Sequence, residues 1–134
     1  MILNIESWDS NRWPNFSVNE FKCKCGCESI LFSKDLLDSL QDYRDRYGSV
    51  IITSGYRCPK YNSEISTTGH DGPHTTGFAV DIATDTNSQY NIVRFYLSSY
   101  HAKGIGIAKN FTHIDFLTIA MSDKYSVRPN MWSY

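Results

Sequence analysis

The chain has 134 residues, the usual size of one domain and enough to bury a hydrophobic core without disulfide bonds. Hydrophobic residues make up 41% and charged residues 20%, which excludes an intrinsically disordered chain. The net charge of −1 gives no electrostatic basis for binding nucleic acid or an anionic membrane, so we expect neither partner.

The N-terminal segment "MILNIESWDSNRW" has no basic region, and its apolar stretch is too short for a signal peptide. No apolar run approaches the roughly 20 residues that are needed to span a bilayer. We therefore expect a protein made in the cytosol, folded as a single domain over residues 1–134 and monomeric.

Four cysteines come next, three of them in "FKCKCGCES" and one in "GYRCPKY". In an extended strand, Cys23, Cys25 and Cys27 would all face the same way. Their one-residue gaps match structural zinc sites poorly, because paired cysteines in such sites are usually two residues apart. We expect reduced thiols, as is usual in a cytosolic protein, with a structural metal site or a disulfide to Cys58 as alternatives.

The clearest helix is predicted over residues 33–47, with Ser33 as N-cap and Gly48 at its end. The spacing of its apolar residues predicts one buried stripe, formed by Leu36, Leu37, Leu40, Tyr43 and Tyr47. "SVIITSG" then indicates a buried strand that stops at Ser54-Gly55. A short helix in "CPKYNSEIS" and a long Gly/Thr loop follow, and loops of such length are often functional.

The C-terminal half reads as a strand, a helix and a hairpin. "FAVDI" is the strand, and a helix over 86–104 is capped near Asn87 or Ser88 and ended by Gly104. "IGIAKNFTHIDFL" predicts a hairpin that turns at Lys109-Asn110. This order of elements predicts a small α+β domain with two main helices and a mainly antiparallel sheet.

Strand alternation separates the residues of each strand into two faces. Phe78, Val80 and Ile82 share one face of "FAVDI", and Asp81 lies on the opposite face between the small residues Gly77, Ala79 and Ala83. In the hairpin, Phe111, His113 and Asp115 share a face, and a two-residue turn puts Gly106 opposite His113. We expect open space above Gly77, Ala79 and Gly106, which would form a groove floor.

His74, from the loop, and Asp81 and His113, from the two strands, become candidate ligands for one cation. Two imidazoles and one carboxylate with a fourth position left to water are typical of catalytic zinc sites. The same set is compatible with a structural or regulatory metal, and each residue alone is compatible with a plain surface role. His70 and His101 are interpreted as surface histidines.

At these residues the sequence resembles the zinc D-Ala-D-Ala carboxypeptidase-like metallopeptidases, which share a fold with the hedgehog signalling domain. The resemblance spans about residues 16–116 and is carried by "ITSGYRCPKYN", "PHTTGFAVDI" and "GIGIAKNFTHIDF", with weaker similarity at "EFKCKCGC". It implies that His74, Asp81 and His113 bind Zn²⁺. It also implies that Arg57 contacts the substrate near the scissile bond, and we expect Ser54 and Tyr56 beside it to contact substrate too.

Two departures from the family pattern concern the catalytic base and the first zinc motif. Gly72 stands where the family commonly has serine, and Asn110 and Phe111 stand where many members carry the base. Asp115 is our preferred substitute base, because it lies on the same strand face as His113. Its alternative role is to hydrogen-bond a zinc histidine. Other candidates for the base are Glu64, His70 and Asp71.

The resulting functional hypothesis is a zinc peptidase that cleaves peptidoglycan stem peptides containing D-amino acids, as a carboxypeptidase or an endolysin-type endopeptidase. Asp115 would take a proton from the attacking water, while Arg57 would steady the oxyanion or a terminal carboxylate. Its place of action would be the cell wall, after release at phage lysis. The alternative is a non-catalytic zinc domain that binds a wall peptide or a protein partner, and a purely structural virion component has less support.

Overall fold

The structure is a computed structural model that describes residues 2–117 and 127–134. It is built on a five-stranded sheet in the order β3–β4–β6–β5–β7, with a separate two-stranded sheet of β1 and β2. The elements in chain order are β1 (Ile2–Leu3), α1 (Val18–Phe21), β2 (Phe32–Ser33), α2 (Lys34–Tyr47), β3 (Ile52–Ser54), α3 (Pro59–Ile65), β4 (Ala79–Ala83), α4 (Thr86–Ser98), β5 (Gly104–Ile107), β6 (Phe111–Asp115) and β7 (Asn130–Ser133).

The predicted α+β class and the mainly antiparallel sheet are confirmed. Four neighbouring strands pair antiparallel, and only the edge pair β5–β7 is parallel among the strands described. The two longest helices, α2 and α4, pack their apolar residues in one core with the inward face of the sheet. That face is contributed by Val80, Ile82, Ile105 and Ile114.

Helix α2 forms where the sequence predicts it. The Ser33 hydroxyl accepts a hydrogen bond from the Leu36 N–H at 3.2 Å, a cap that contributes about 1 kcal/mol. Gly48, with φ of 103°, ends the helix, and Leu36, Leu37, Leu40 and Tyr43 are buried as expected. Tyr47 is the exception on the stripe, because it lies at the end of the helix and is 44% exposed while stacking on Tyr43.

The predicted limits of α4 are wrong at both ends. Asp85 is its N-cap. The Asp85 carboxylate accepts a hydrogen bond at 2.9 Å from the Ser88 N–H, a backbone donor that has no acceptor within the helix. The helix ends at Ser98, well before Gly104, and His101 adopts a left-handed backbone with φ of 51° that turns the chain into β5. Gly104 is the first residue of that strand.

Strand β3 is shorter and more exposed than predicted. It covers Ile52–Ser54, and only Ile52 of the three is buried, because β3 lies at the edge of the sheet. Ile51, just before it, is 65% exposed. The stop at Ser54-Gly55 is confirmed.

The hairpin of β5 and β6 forms in the predicted register. Ala108 donates its N–H to the Phe111 carbonyl at 3.1 Å, which closes a two-residue turn at Lys109-Asn110. Gly106 pairs with His113, and on the other side of β6 His113 pairs with Asp81 of β4. The outward face of the sheet therefore brings Asp81 and His113 side by side.

None of the helices in the described parts of the chain is long and apolar enough to cross a membrane.

Candidate metal centre and cleft

His74, Asp81 and His113 converge at one point of the outward sheet face. Asp81 and His113 are cross-strand partners, and a 3₁₀ turn over Pro73–Thr75 delivers His74 from the preceding loop. Oδ1 of Asp81 lies 3.2 Å from Nε2 of His74 and 3.0 Å from Nδ1 of His113. The three candidate ligand atoms lie within 4.8 Å of one another. This is the spacing that one shared ion requires.

The second nitrogen of each imidazole is held by an acceptor. Nδ1 of His74 lies 2.8 Å from the Gly55 carbonyl, and Nε2 of His113 lies 2.8 Å from Oδ2 of Asp115. A carbonyl or carboxylate oxygen only accepts, so these nitrogens carry the hydrogens. The nitrogens that face Asp81 are then the ones available to a metal ion, and without a metal each lies within hydrogen-bonding distance of the Asp81 carboxylate. Such a cluster of electron-rich atoms is suited to a cation, and outer hydrogen bonds of this kind orient metal-binding histidines.

Burial and hydrogen bonding shift the pKa values of the three cluster residues in different directions. Burial lowers the pKa of His74, which keeps that ring neutral. Burial acts the same way on His113, but hydrogen bonds to Asp115 and Asp81 outweigh it and raise its pKa above the ordinary value. Burial also opposes ionisation of Asp81, yet attraction to His74 and the hydrogen bond with His113 hold its pKa well below the usual range. Asp81 is therefore ionised at neutral pH.

Arg57 lies beside the cluster, and two of its three guanidinium nitrogens donate hydrogen bonds to neighbouring side chains. Its Nε donates to the Ser54 hydroxyl at 3.0 Å and its Nη1 donates to Oδ1 of Asn62 at 3.1 Å. Nη2 is left facing the cluster, 3.6 Å from Oδ2 of Asp81. The guanidinium is thus fixed in orientation, with one nitrogen directed at the candidate metal centre.

Asn62 is a residue that the sequence analysis did not single out. Its side chain is fully buried and donates to the Thr68 hydroxyl at 2.9 Å and the Gly69 carbonyl at 2.5 Å. It thereby ties Arg57 to the loop that carries His74. Gly72 belongs to the same arrangement, because a Cβ there would lie 2.1 Å from Thr68 Oγ1 and 2.5 Å from Asn62 Nδ2. The packing around Asn62 therefore leaves no room for a side chain at position 72.

Asp115 lies behind His113 instead of in the cleft. Its side chain is fully buried and accepts hydrogen bonds from Arg128 as well as from His113. Burial opposes its ionisation, but the bonds to His113 and Arg128 outweigh burial and lower its pKa. These contacts favour the role of orienting His113 over the role of general base that the sequence analysis preferred.

The groove floor predicted from small residues is wrong. Trp132 of β7 covers Gly106, so that a Cβ there would lie 2.9 Å from the indole ring. The centroid of the same indole ring lies 5.3 Å from that of His113 and 5.0 Å from Cζ of Arg128. Gly77 is also covered, by Ile2 and Leu31. The sequence alone left open whether Trp132 and Tyr134 cover the sheet or border the groove, because β7 reaches the sheet through a long-range parallel pairing.

A cleft of about 440 Å³ opens onto the cluster. Its described lining comes from three regions: the loop residues Ser66, Thr67, Thr68, Pro73 and His74, the sheet residues Asp81, Phe111 and His113, and the C-terminal residues Arg128, Asn130, Trp132 and Tyr134, with Arg57 and Ile65 beside them. Asp81 is the only carboxylate among these lining residues.

The remaining predicted site residues lie around the cleft. Ser54 and Tyr56 line a smaller adjoining depression, with Arg57 shared between the two, so their contact with substrate stays a prediction. Glu64, His70 and Asp71 are exposed on α3 and the following 3₁₀ turn, outside the lining of the cleft. His101 is exposed, which confirms the surface assignment given to both His70 and His101.

Comparison with known families identifies the chain. The family model described as Peptidase M15 matches residues 14–115, which includes all three cluster residues and Arg57. The chain belongs to the M15 peptidase family. A search of curated proteins and a search of solved structures gave no match. The resemblance to zinc D-Ala-D-Ala carboxypeptidase-like enzymes is thereby confirmed at the level of the family, and membership supports a peptidase.

Asn62 and Arg128, two residues of this M15 protein that the sequence analysis did not name, can be connected to the site from patterns in the sequence. Asn62 stands inside "ITSGYRCPKYN", the motif that carried Arg57. Asp115, between Ile114 and Phe116, is a carboxylate in an apolar strand, and a buried carboxylate requires a donor partner. Arg128, in "SVRPNMWSY", is that partner.

Proposed function

We propose that this M15 peptidase is a zinc-dependent hydrolase that cleaves peptidoglycan stem peptides containing D-amino acids, as a carboxypeptidase or an endopeptidase. The observation that carries the proposal is the convergence of one nitrogen from each of two imidazoles on one carboxylate. His74 and His113 both present a nitrogen to the ionised carboxylate of Asp81 at the wall of an open cleft.

The donor set fits zinc. His74 would bind through Nε2, His113 through Nδ1 and Asp81 through its carboxylate, which leaves the cleft side free for a further ligand. When bound, zinc supplies Lewis-acid chemistry, since it lowers the pKa of water to about 7 and polarises a carbonyl group. The Gly55 carbonyl and Asp115 hold the two rings in the tautomers that this binding needs.

Arg57 would bind the substrate's oxygen atoms. Because Ser54 and Asn62 engage Nε and Nη1, Nη2 is the nitrogen directed toward the cleft. It would donate to the oxyanion that develops at the scissile carbonyl, or to the terminal carboxylate of a stem peptide. The guanidinium is already fixed in orientation before the substrate binds, so it does not have to reorganise during the reaction. Electrostatic stabilisation of an oxyanion depends on such preorganised donors.

The cleft lining suits a short peptide. Ser66, Thr67, Thr68 and Asn130 offer hydroxyl and amide groups to a peptide backbone, and Phe111 and Tyr134, whose rings lie 5.2 Å apart, offer an apolar wall. We infer a stem peptide as occupant, with the cell wall as the place of action after release at phage lysis. We further propose that the protein acts as a monomer.

A second candidate function follows because the described residues that line the cleft offer no carboxylate free to act as the general base. Asp81 is the sole carboxylate among the described lining residues, and it is assigned to the metal. Asp115 is engaged by His113 and Arg128, so we infer that it orients His113 instead of moving the water proton. A non-catalytic zinc domain that binds a wall peptide or a protein partner is therefore the alternative.

Digestion of purified peptidoglycan separates the two functions. The zinc-loaded protein should release new amino groups that mass spectrometry assigns to a cut peptide bond, and His113→Ala should release none. His101→Ala is the matched control, because His101 is an exposed histidine away from the cleft. Stable binding of stem peptides without any cleavage would favour the non-catalytic domain, and cleavage by His113→Ala would remove His113 from the mechanism.

A further inference from the structure

A second group of metal-ligating side chains lies outside the cleft. The turn after α1 carries Cys23, Cys25 and Cys27, and Cys58 is the N-cap of α3. All four are free thiols, and their sulfur atoms lie within 4.8 Å of one another. Reduced thiols were the first expectation from the sequence, with a structural metal site or a disulfide to Cys58 as alternatives, because the one-residue gaps do not match paired zinc ligands. The fold nevertheless gathers all four at one point.

The four thiols come together because the segment that carries Cys23, Cys25 and Cys27 forms a turn. In an extended strand the three thiols would instead have pointed the same way along one face. Gly26, with φ of 94°, and Glu28, with φ of 63°, both take a left-handed backbone that curls the segment around its sulfur atoms. The Cys23 N–H donates to the Ser29 carbonyl at 2.9 Å and closes the turn. Lys24, between two of the cysteines, is directed away and donates to the Thr53 carbonyl.

The sulfur separations are those of a tetrahedral metal site. Four thiolates about 2.3 Å from a central zinc ion lie about 3.8 Å from one another. Here Sγ of Cys25 lies 3.4 Å from Sγ of Cys23 and 3.7 Å from Sγ of Cys58. Electron-rich sulfur atoms at such distances repel once they are ionised, and a bound cation removes that cost.

Backbone N–H groups are directed at two of the sulfur atoms. The Cys58 N–H donates to Sγ of Cys23 at 3.3 Å, and the Tyr61 N–H donates to Sγ of Cys58 at 3.4 Å. Donors of this kind stabilise the ionised thiolate, which is the form that binds metals. They are a second observation, independent of the clustering, that points to thiolate ligands.

We propose that Cys23, Cys25, Cys27 and Cys58 bind one zinc ion as a closed four-thiolate site, separate from the site in the cleft. Zinc with four cysteines has no vacant position, so the site is structural. Binding requires that the thiols lose their protons, and zinc replaces them.

The second site would fix the segment that supports the cleft. Cys58 directly follows Arg57, and it caps the helix that carries Asn62, the residue that holds Arg57. Just before it, the Tyr56 N–H donates to the Phe21 carbonyl at 2.7 Å. The Arg57 N–H donates to the His74 carbonyl at 3.0 Å. Zinc bound to Cys58 and to the three cysteines of the turn after α1 would therefore fix the backbone that lies between the cysteine site and the cleft.

Metal content and cobalt spectroscopy test this proposal. The purified full chain should contain two zinc ions, and Cys27→Ser and His113→Ala should each contain one. Cys27 is the chosen ligand because its side chain is exposed, so its replacement removes little buried surface. With cobalt in place of zinc, the unaltered chain and His113→Ala should both show the intense near-ultraviolet band of thiolate-to-cobalt charge transfer. Cys27→Ser should lose most of it, and Lys24→Ala, altered in the same turn, should keep it.

If the variants do not fold, the number of reactive thiols in the unaltered protein provides a second test. Four thiols should react after denaturation with a chelator and without reductant. Two or none would mean disulfides and would overturn the proposal, as would a cobalt spectrum without thiolate bands. Iron at the cysteines would overturn the assignment to zinc. Because the cleft site has no sulfur ligand, loss of cleft zinc alone leaves the thiolate band unchanged and is distinguishable.

Discussion

Arg128 donates two hydrogen bonds to the carboxylate of Asp115, from Nε to Oδ1 at 3.1 Å and from Nη2 to Oδ2 at 2.9 Å. Both side chains are buried, and Asp115 in turn accepts from His113. The C-terminal segment is thereby connected to a candidate metal ligand through one charged pair. Removing one member of such a pair leaves the other charge buried without compensation.

Replacing Arg128 with alanine should destabilise the protein strongly. Breaking a buried ion pair costs about 3–5 kcal/mol, because the carboxylate of Asp115 keeps its desolvation cost. Chemical denaturation at neutral pH measures the loss. Arg46→Ala is the control, since its pair with Asp42 is exposed on α2 and contributes about 0.3–0.5 kcal/mol. A loss for Arg128→Ala no larger than that of the control would contradict the pairing.

Replacing Asp115 with asparagine should weaken zinc binding in the cleft. The charge that orients His113 is lost, and changes of this kind cost about 10–100-fold in metal affinity. Competition with a chromophoric chelator measures the affinity, and Asp85→Asn, at an exposed helix cap, is the control. Unchanged zinc affinity with lost turnover would instead restore Asp115 as the general base.

Replacing Gly106 with alanine should displace Trp132 from His113. The added Cβ would lie 2.9 Å from the indole ring, and overpacking of this kind costs about 1–3 kcal/mol. We expect a shift in tryptophan fluorescence together with weaker zinc binding. The double variant Gly106→Ala/Trp132→Leu should recover part of the loss in stability, because the smaller side chain frees the space. Additive losses in the double variant would contradict the contact.

The metal-free protein should lose stability in acid. The pKa values of Asp81 and Asp115 are lower in the folded protein than in an unfolded chain. Their contribution is therefore present above the unfolded carboxyl pKa of about 3.9 and is lost as the pH falls toward the folded pKa values. Denaturation curves across this range should show the free energy of unfolding decreasing below about pH 4. Asp115→Asn should flatten the decrease, and an equal slope in both proteins would contradict the assignment.

The sequence predicted the parts of the fold that depend on local periodicity. Strand alternation put Asp81 and His113 on one face, and the two-residue turn gave the register that pairs His113 with Gly106. The apolar stripe and caps of α2 were likewise readable from its own residues. His74 was identified by its ligand type and by resemblance, because a loop has no periodicity.

The parts that the sequence did not predict depend on contacts between distant segments. Trp132 covers Gly106 through the parallel pairing of β5 and β7, which no local pattern encodes. The cysteine cluster requires a left-handed turn at Gly26 and an approach by Cys58 from another element. The exposure of Ile51 follows from the edge position of β3, and edge position is a property of the whole sheet.

An anomalous difference map from crystals of the zinc-loaded protein tests the central claim most directly. We expect a peak in the cleft that is bonded to Nε2 of His74, Nδ1 of His113 and the carboxylate of Asp81, with Arg57 beside it. A cleft without that peak, or a metal bonded to Nε2 of His113 in place of Nδ1, would show that the proposed metal centre is wrong.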